Sequence, residues 1–317
     1  MVKRCLPALA VLFLLSAAPA EQKRSLLLVT IDTWRADYLS ASGSRRVQTP
    51  FLDKLAREGS YIARAEAPTP LTTPSHASVL TGLYPASHGI RDNSHFKLRG
   101  GARTMAQAFR ESGYRTVAVV SAAPLRRVYG LDAGFDVYDD RGIGAEGDEA
   151  LVPSSREART SAARALEAAG SAKGGLFLWL HLYDPHYPYV PPPEFRSRYP
   201  KDPYAGEVAY ADRVLGDFVP RLLSQRREKW TVLVTGDHGE GLGDKGEMTH
   251  GFLLYEQTRE VPLILWESDR RAPALGAGPK SLVDVFPTVT ELFSLPPSRC
   301  DGTSLLRDTS GARHPDH

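Results

Sequence analysis

Continuous apolar runs, rather than alternating ones, set the rhythm of this chain. "SLLLVTI" (25–31), "YRTVAVVSAA" (114–123), "GLFLWLHLYD" (175–184), "KWTVLVTGDHG" (229–239) and "VPLILW" (261–266) each read as a strand. Between them lie stretches with helical spacing: 49–59, opened by Thr-Pro and closed by Gly59, then 104–113, 156–170, 206–226 with an internal Pro220, and 281–293. Strands covered on both faces lose the alternation of a half-exposed sheet. Apolar strands alternating with helices therefore predict an α/β fold with a mainly parallel central sheet and helices on both faces. Residues 140–158 and 184–204 read as loops, the second stiffened by Pro and Tyr.

In parallel sheets, ligands bind beyond the carboxyl ends of the strands. Asp32, Asp184, Asp237 and His238 fall there. Two carboxylates and an imidazole from different strands can hold one divalent cation; a single Asp at such a place serves equally well as a turn or helix cap. Gly239 allows the sharp turn that lets adjacent Asp237 and His238 reach one ion. "TPLTTPSHASVLTG" (69–82) predicts a short helix capped by Thr73, with Pro74 in its first turn. Thr72 and Thr73 then lie at its positive end, where backbone N–H groups stabilise an anion. Taken alone, this is a well-capped helix; with a metal on its oxygen, a threonine becomes an alkoxide nucleophile. His181, His186 and His250 also fall near sheet ends, and an imidazole can hold or protonate a leaving oxygen.

The first twenty residues change the picture of the compartment. A basic "MVKR", an apolar "CLPALAVLFLLSA" and the small residues "APA" read as a signal peptide, residues 1–20, of an exported periplasmic or secreted protein. The apolar run is too short to span a bilayer, so no stable membrane insertion is expected after cleavage. Cleavage removes Lys3 and Arg4, so the 39 basic residues fall to 37, against 37 acidic ones. A formally neutral chain argues against nucleic acid as a partner. Cleavage also removes Cys5, which leaves Cys300 without a disulfide partner. The remainder reads as one catalytic domain, residues 21–308, followed by a disordered tail, 309–317.

Together these stretches resemble the sulfatase family of the alkaline-phosphatase superfamily. "LLLVTIDTWRADYLS", "LTTPSHASVLTGLYPASHGIRDN", "DPHYPYVPP", "TGDHGEGLGDKGEMTHGFLLYE" and "DGTSLL" occur in family order across residues 25–306. The resemblance implies a sulfatase-like fold whose C-terminal subdomain is reduced or absent. It implies that Asp32, Asp237 and His238 are metal ligands, with one divalent ion (Mn, Zn, Mg or Ca) shared by Thr72. The family motif of Cys or Ser, any residue, Pro, any residue, Arg falls on Thr72 through His76. Thr72 is thereby the nucleophile, and His76 takes the place of a substrate-binding arginine. His186 matches a substrate-binding histidine, His250 a lysine that grips ester oxygens, and Asn93 an oxyanion contact. Lys245 stands where a histidine is frequent, and Thr33 where many members have a further Asp.

True sulfatases convert the Cys or Ser to formylglycine. Oxidising the secondary alcohol of Thr72 would give a ketone, so its chemistry must differ. The expectation is a hydrolase of phosphate, phosphonate or sulfate esters, with phosphoryl substrates favoured, acting on a small molecule or on a glycan or lipid ester. Alternatives are a sulfate-ester hydrolase with an unmodified threonine, a phosphotransferase on lipid or glycan headgroups, and a non-catalytic binding homologue.

Overall fold

The structure is a computed structural model that describes residues 23–144 and 155–306. The signal-peptide reading of 1–20, the middle of the loop 140–158 and the tail 309–317 lie outside the described residues. Seven strands, β1 (Ser25–Ile31), β2 (Ser60–Glu66), β3 (Arg115–Val119), β4 (Val137–Asp139), β5 (Leu176–Leu182), β6 (Trp230–Gly236) and β7 (Glu260–Glu267), form one sheet in the order β2-β7-β6-β1-β5-β3-β4. Strands β6, β1, β5, β3 and β4 run parallel, whereas β7 is antiparallel to both β6 and β2.

Every residue of β1, β5 and β6 is buried, which is why these segments read as unbroken apolar runs. Along β1 the side chains alternate between two cores. Leu27, Val29 and Ile31 pack with residues of the helices Pro50–Glu58, Ala158–Ser171 and Pro203–Gln225. Leu26 and Leu28 pack with residues of the helices Thr72–Thr81, Met105–Glu111 and Val285–Leu292. The helix Pro203–Gln225 continues through Pro220.

Two strands escape the sequence pattern. β2 follows Gly59 directly and is mostly half-buried or exposed, so it lacks an apolar run; β4 has only three residues. The reading of 184–204 as loop alone is corrected by a short helix, Pro193–Arg198, opened by prolines at its N-terminus.

Register places the site. Ile31 lies opposite Gly236 on one side and Leu182 on the other. The next residues, Asp32 and Asp237, therefore emerge side by side at the carboxyl edge of adjacent strands.

Candidate active site

Asp32 is pinned through its N–H, which donates to the Leu182 carbonyl at 2.9 Å. Thr33 then turns the chain with a positive φ of 53°. Its N–H donates to Asp237 Oδ1 at 3.1 Å, and the His238 N–H donates to the same oxygen at 2.8 Å. The other Asp237 oxygen and both Asp32 oxygens are buried without a hydrogen-bond partner in the structure. Gly239 is required for a reason beyond the sharp turn: a Cβ there would collide with the Gln257 carbonyl oxygen.

His238 Nδ1 lies 2.9 Å from the Gly239 carbonyl. A carbonyl only accepts, so Nδ1 carries the proton and Nε2 presents a lone pair. That Nε2 lies 3.5 Å from Asp237 Oδ2, 3.8 Å from Asp32 Oδ1 and 3.4 Å from Thr72 Oγ1. Asp32, Asp237 and His238 each offer a donor atom, all within 4.8 Å of one another, and the group is fully buried. Burial and the neighbouring charge of Asp32 push the Asp237 carboxyl well above the usual carboxylate range. Burial opposes ionisation of Asp32 as well, yet the His181 contact and nearby imidazoles hold it below that range. Burial and His250 push His238 well down, which keeps it neutral. Unpartnered buried carboxylate oxygens facing a neutral imidazole are a donor set that fits a divalent cation, which would let both acids ionise.

The helix that carries Thr72 begins two residues earlier than expected. Leu71 is the N-cap and Thr72 the first residue of the helix Thr72–Thr81, so Thr73 is not the cap. The Thr73 hydroxyl donates instead to the Pro124 carbonyl at 2.7 Å, and its N–H donates to Asn93 Oδ1 at 2.9 Å. Asn93 thus sits at the helix N-terminus, with its side-chain NH₂ as a further donor.

His76 is fully buried. Its Nδ1 lies 2.7 Å from the Thr72 carbonyl, and its Nε2 lies 2.9 Å from the Thr30 hydroxyl, which accepts from Trp179 Nε1 at 3.0 Å. Both ring nitrogens meet protein atoms, and burial, helped by His181, pushes its pKa down to about 3. His181 Nε2, 3.5 Å from Asp32 Oδ2, has no hydrogen-bond partner, and His76, His181 and Asp237 form a second buried group of possible metal donors.

His186 and His250 face each other, with ring centroids 5.3 Å apart, and the His250 ring lies 4.5 Å from that of His238. His186 Nδ1 lies 2.7 Å from both the Tyr183 hydroxyl and the Tyr187 carbonyl. The backbone around it is clamped by Glu207, whose two carboxylate oxygens accept from the N–H groups of His186 and Val190 at 3.2 and 2.6 Å. Burial opposes charge on His250, but the Glu240 carboxylate raises its pKa above the ordinary value. Lys245 is exposed, with its ammonium 4.3 Å from the centre of the Tyr255 ring. Asp184 meets the start of a helix, accepting from the Ala158 N–H at 3.0 Å. Sequence reasoning missed Glu207 and Glu240. Glu207 lies in an otherwise apolar helix face, which was a usable signal; Glu240 sits in a Gly-rich loop and gave none.

A hydroxyl at a helix N-terminus is thus set against an acidic donor group at the carboxyl edge of the parallel strands. The Sulfatase family model matches residues 24–295, and the chain belongs to that family. It is 24% identical over 387 residues to iduronate 2-sulfatase of Mus musculus, a match spanning 87% of this chain and 70% of that protein. It is 37% identical over 94 residues to the ulvan-active sulfatase of Formosa agariphila, spanning 30% of this chain and 18% of that protein. Its fold superposes on the phosphonate monoester hydrolase of Agrobacterium radiobacter with a TM-score of 0.75 and 20% identity, covering 92% of this chain and 79% of that one. The chain is an ester-bond hydrolase by family.

Proposed function

We propose that this chain is an exported, metal-dependent hydrolase of phosphate or phosphonate esters that uses Thr72 as an unmodified nucleophile. The observation that carries the reading is the position of the Thr72 oxygen: the first residue of a buried helix, 3.4 Å from the lone-pair nitrogen of His238. Asp32, Asp237, His238 and Thr72 would hold one divalent ion. When bound, that ion would lower the pKa of the Thr72 hydroxyl and offset charge on the ester oxygens.

The chain's own groups do the rest. The Thr72 hydroxyl gives up its proton to solvent, its oxygen bonds to phosphorus as the bond to the leaving oxygen breaks, and His186 gives the leaving oxygen a proton. The helix N-terminus, the Asn93 amide and His250 receive the non-bridging oxygens. His76 has no exposed edge and steadies the Thr72 carbonyl from behind. Water then releases the phosphoryl group from Thr72.

A sulfate ester is the second reading, favoured by the names of the sequence relatives. The test is turnover of aryl phosphate, phosphonate, phosphodiester and sulfate by the purified chain and by Thr72→Ala, with bound metal measured. Phosphoryl turnover lost in Thr72→Ala supports the proposal. Sulfate turnover alone favours the second reading. Full activity in Thr72→Ala overturns both.

A further inference from the structure

Glu240 is fully buried beside the proposed metal ligands. One carboxylate oxygen accepts from the Gly241 N–H at 3.0 Å and lies 3.2 Å from His250 Nδ1. The Glu240 carbonyl accepts from Arg35 Nη1 at 3.1 Å, and Arg35 is itself fixed by Asp37 and Asp244 at 2.8 Å each. Among the described residues, the ion-pair partner of the Glu240 carboxylate is His250. Glu240 therefore lies in the connection after β6 that bears both His238 and His250, and its backbone is fixed from the loop after β1 through Arg35.

The Glu240 oxygen that meets His250 already accepts from the Gly241 N–H, so it is the acceptor and the proton in the contact belongs to His250 Nδ1. The Nε2 edge is then the one left to face the interior, where the His238 and His186 rings stand. We infer that Glu240 is a positioning residue: it fixes the orientation and tautomer of His250, and so decides which atom meets the ester oxygens above Thr72. The inference rests on the reading of His250 as an ester-oxygen contact.

A double-mutant cycle tests it in the full chain. Glu240→Ala, His250→Gln and the double variant are assayed on the aryl ester that the wild type turns over, with kcat, KM and bound metal measured for each. Glu240→Ala is expected to lower kcat about 10- to 100-fold, the scale of outer-shell partners, with KM and metal content little changed. Glu240→Gln, which keeps a carbonyl acceptor, should recover most of that loss. In the His250→Gln background Glu240→Ala should cost nothing further, because its effect runs through the imidazole. Losses that multiply independently, or loss of metal in Glu240→Ala, overturn the inference. A silent His250→Gln overturns the His250 reading itself, which separates the two failures. Imidazole nitrogen NMR of the wild type is independent of how any variant folds: a proton on Nδ1 is expected, and an Nε2-only tautomer overturns the proposal.

Discussion

The Thr72 hydroxyl oxygen lies 3.4 Å from Nε2 of His238, although the two residues are separated by 166 positions. One belongs to the first turn of a helix, the other to the loop after a central strand, and both are buried. Thr72→Ala removes the oxygen without opening the core. We expect it to lower kcat by about 10⁴-fold or more, as loss of a nucleophile does elsewhere, with little change in thermal stability. Thr72→Ser, which keeps the oxygen, should retain measurable turnover. Equal activity of the Ala and Ser variants would refute the role.

Metal should stabilise the fold as well as act in it. At free metal about 100-fold above the dissociation constant, the gain is about 2.7 kcal/mol, so chelation should lower the melting temperature. Asp32→Asn should abolish that response. The metal-free Asp237→Asn variant should instead be as stable as the wild type or more so, because burial and the charge of Asp32 disfavour the ionised Asp237 carboxyl, while an amide oxygen can still accept from the Thr33 and His238 N–H groups. Calorimetry with and without EDTA decides it; a melting temperature indifferent to chelator in the wild type would sink the expectation.

Glu207 carries a pH dependence. Burial, aided by the charge of Asp184, pushes its pKa up to about 8 from the ordinary 4.5. Between those values the folded chain holds a proton that the unfolded chain has lost. The Glu207 contribution to stability is therefore present below the unfolded value and is lost as pH rises to about 8. Glu207→Gln should flatten the decline in urea midpoint across that window. An unchanged slope would show that Glu207 does not titrate there.

Gly239→Ala tests the close approach of the loop after β6. A Cβ at that position would overlap the Gln257 carbonyl oxygen, so the backbone must shift and drag Asp237 and His238 with it. A loss of about 1–3 kcal/mol in urea denaturation is expected, together with weaker metal binding. Wild-type metal affinity in this variant would count against the argument.

The buried strands β1, β5 and β6 were legible because complete burial writes an unbroken apolar run. So were the positions of the acids that follow them, although only packing separates Asp32 and Asp237, which meet at the site, from Asp184, which serves the start of a helix. The edge strand β2 was not legible, because a half-exposed strand bonded on one side carries no strong pattern. Nor could spacing show that His76 meets Thr30, because the two come together only once β1 and the helix Thr72–Thr81 are packed. The second demand on Gly239 was hidden for a similar reason: a sharp turn can be guessed from one glycine, but the approach of the Gln257 carbonyl from further along the chain cannot. Glu240 and Glu207 act through contacts 10 to 21 residues away, on loops whose paths depend on the whole sheet.

The burial of Thr72 has a consequence for how the protein matures. The side chain is 2% exposed on a helix buried along its whole length. An enzyme that had to oxidise this position would need the chain before it folded, and folding and modification would compete in time. A threonine used as synthesised removes that race. The nucleophile is complete when the helix docks, so the protein should gain its chemistry in any host that folds it and supplies the ion.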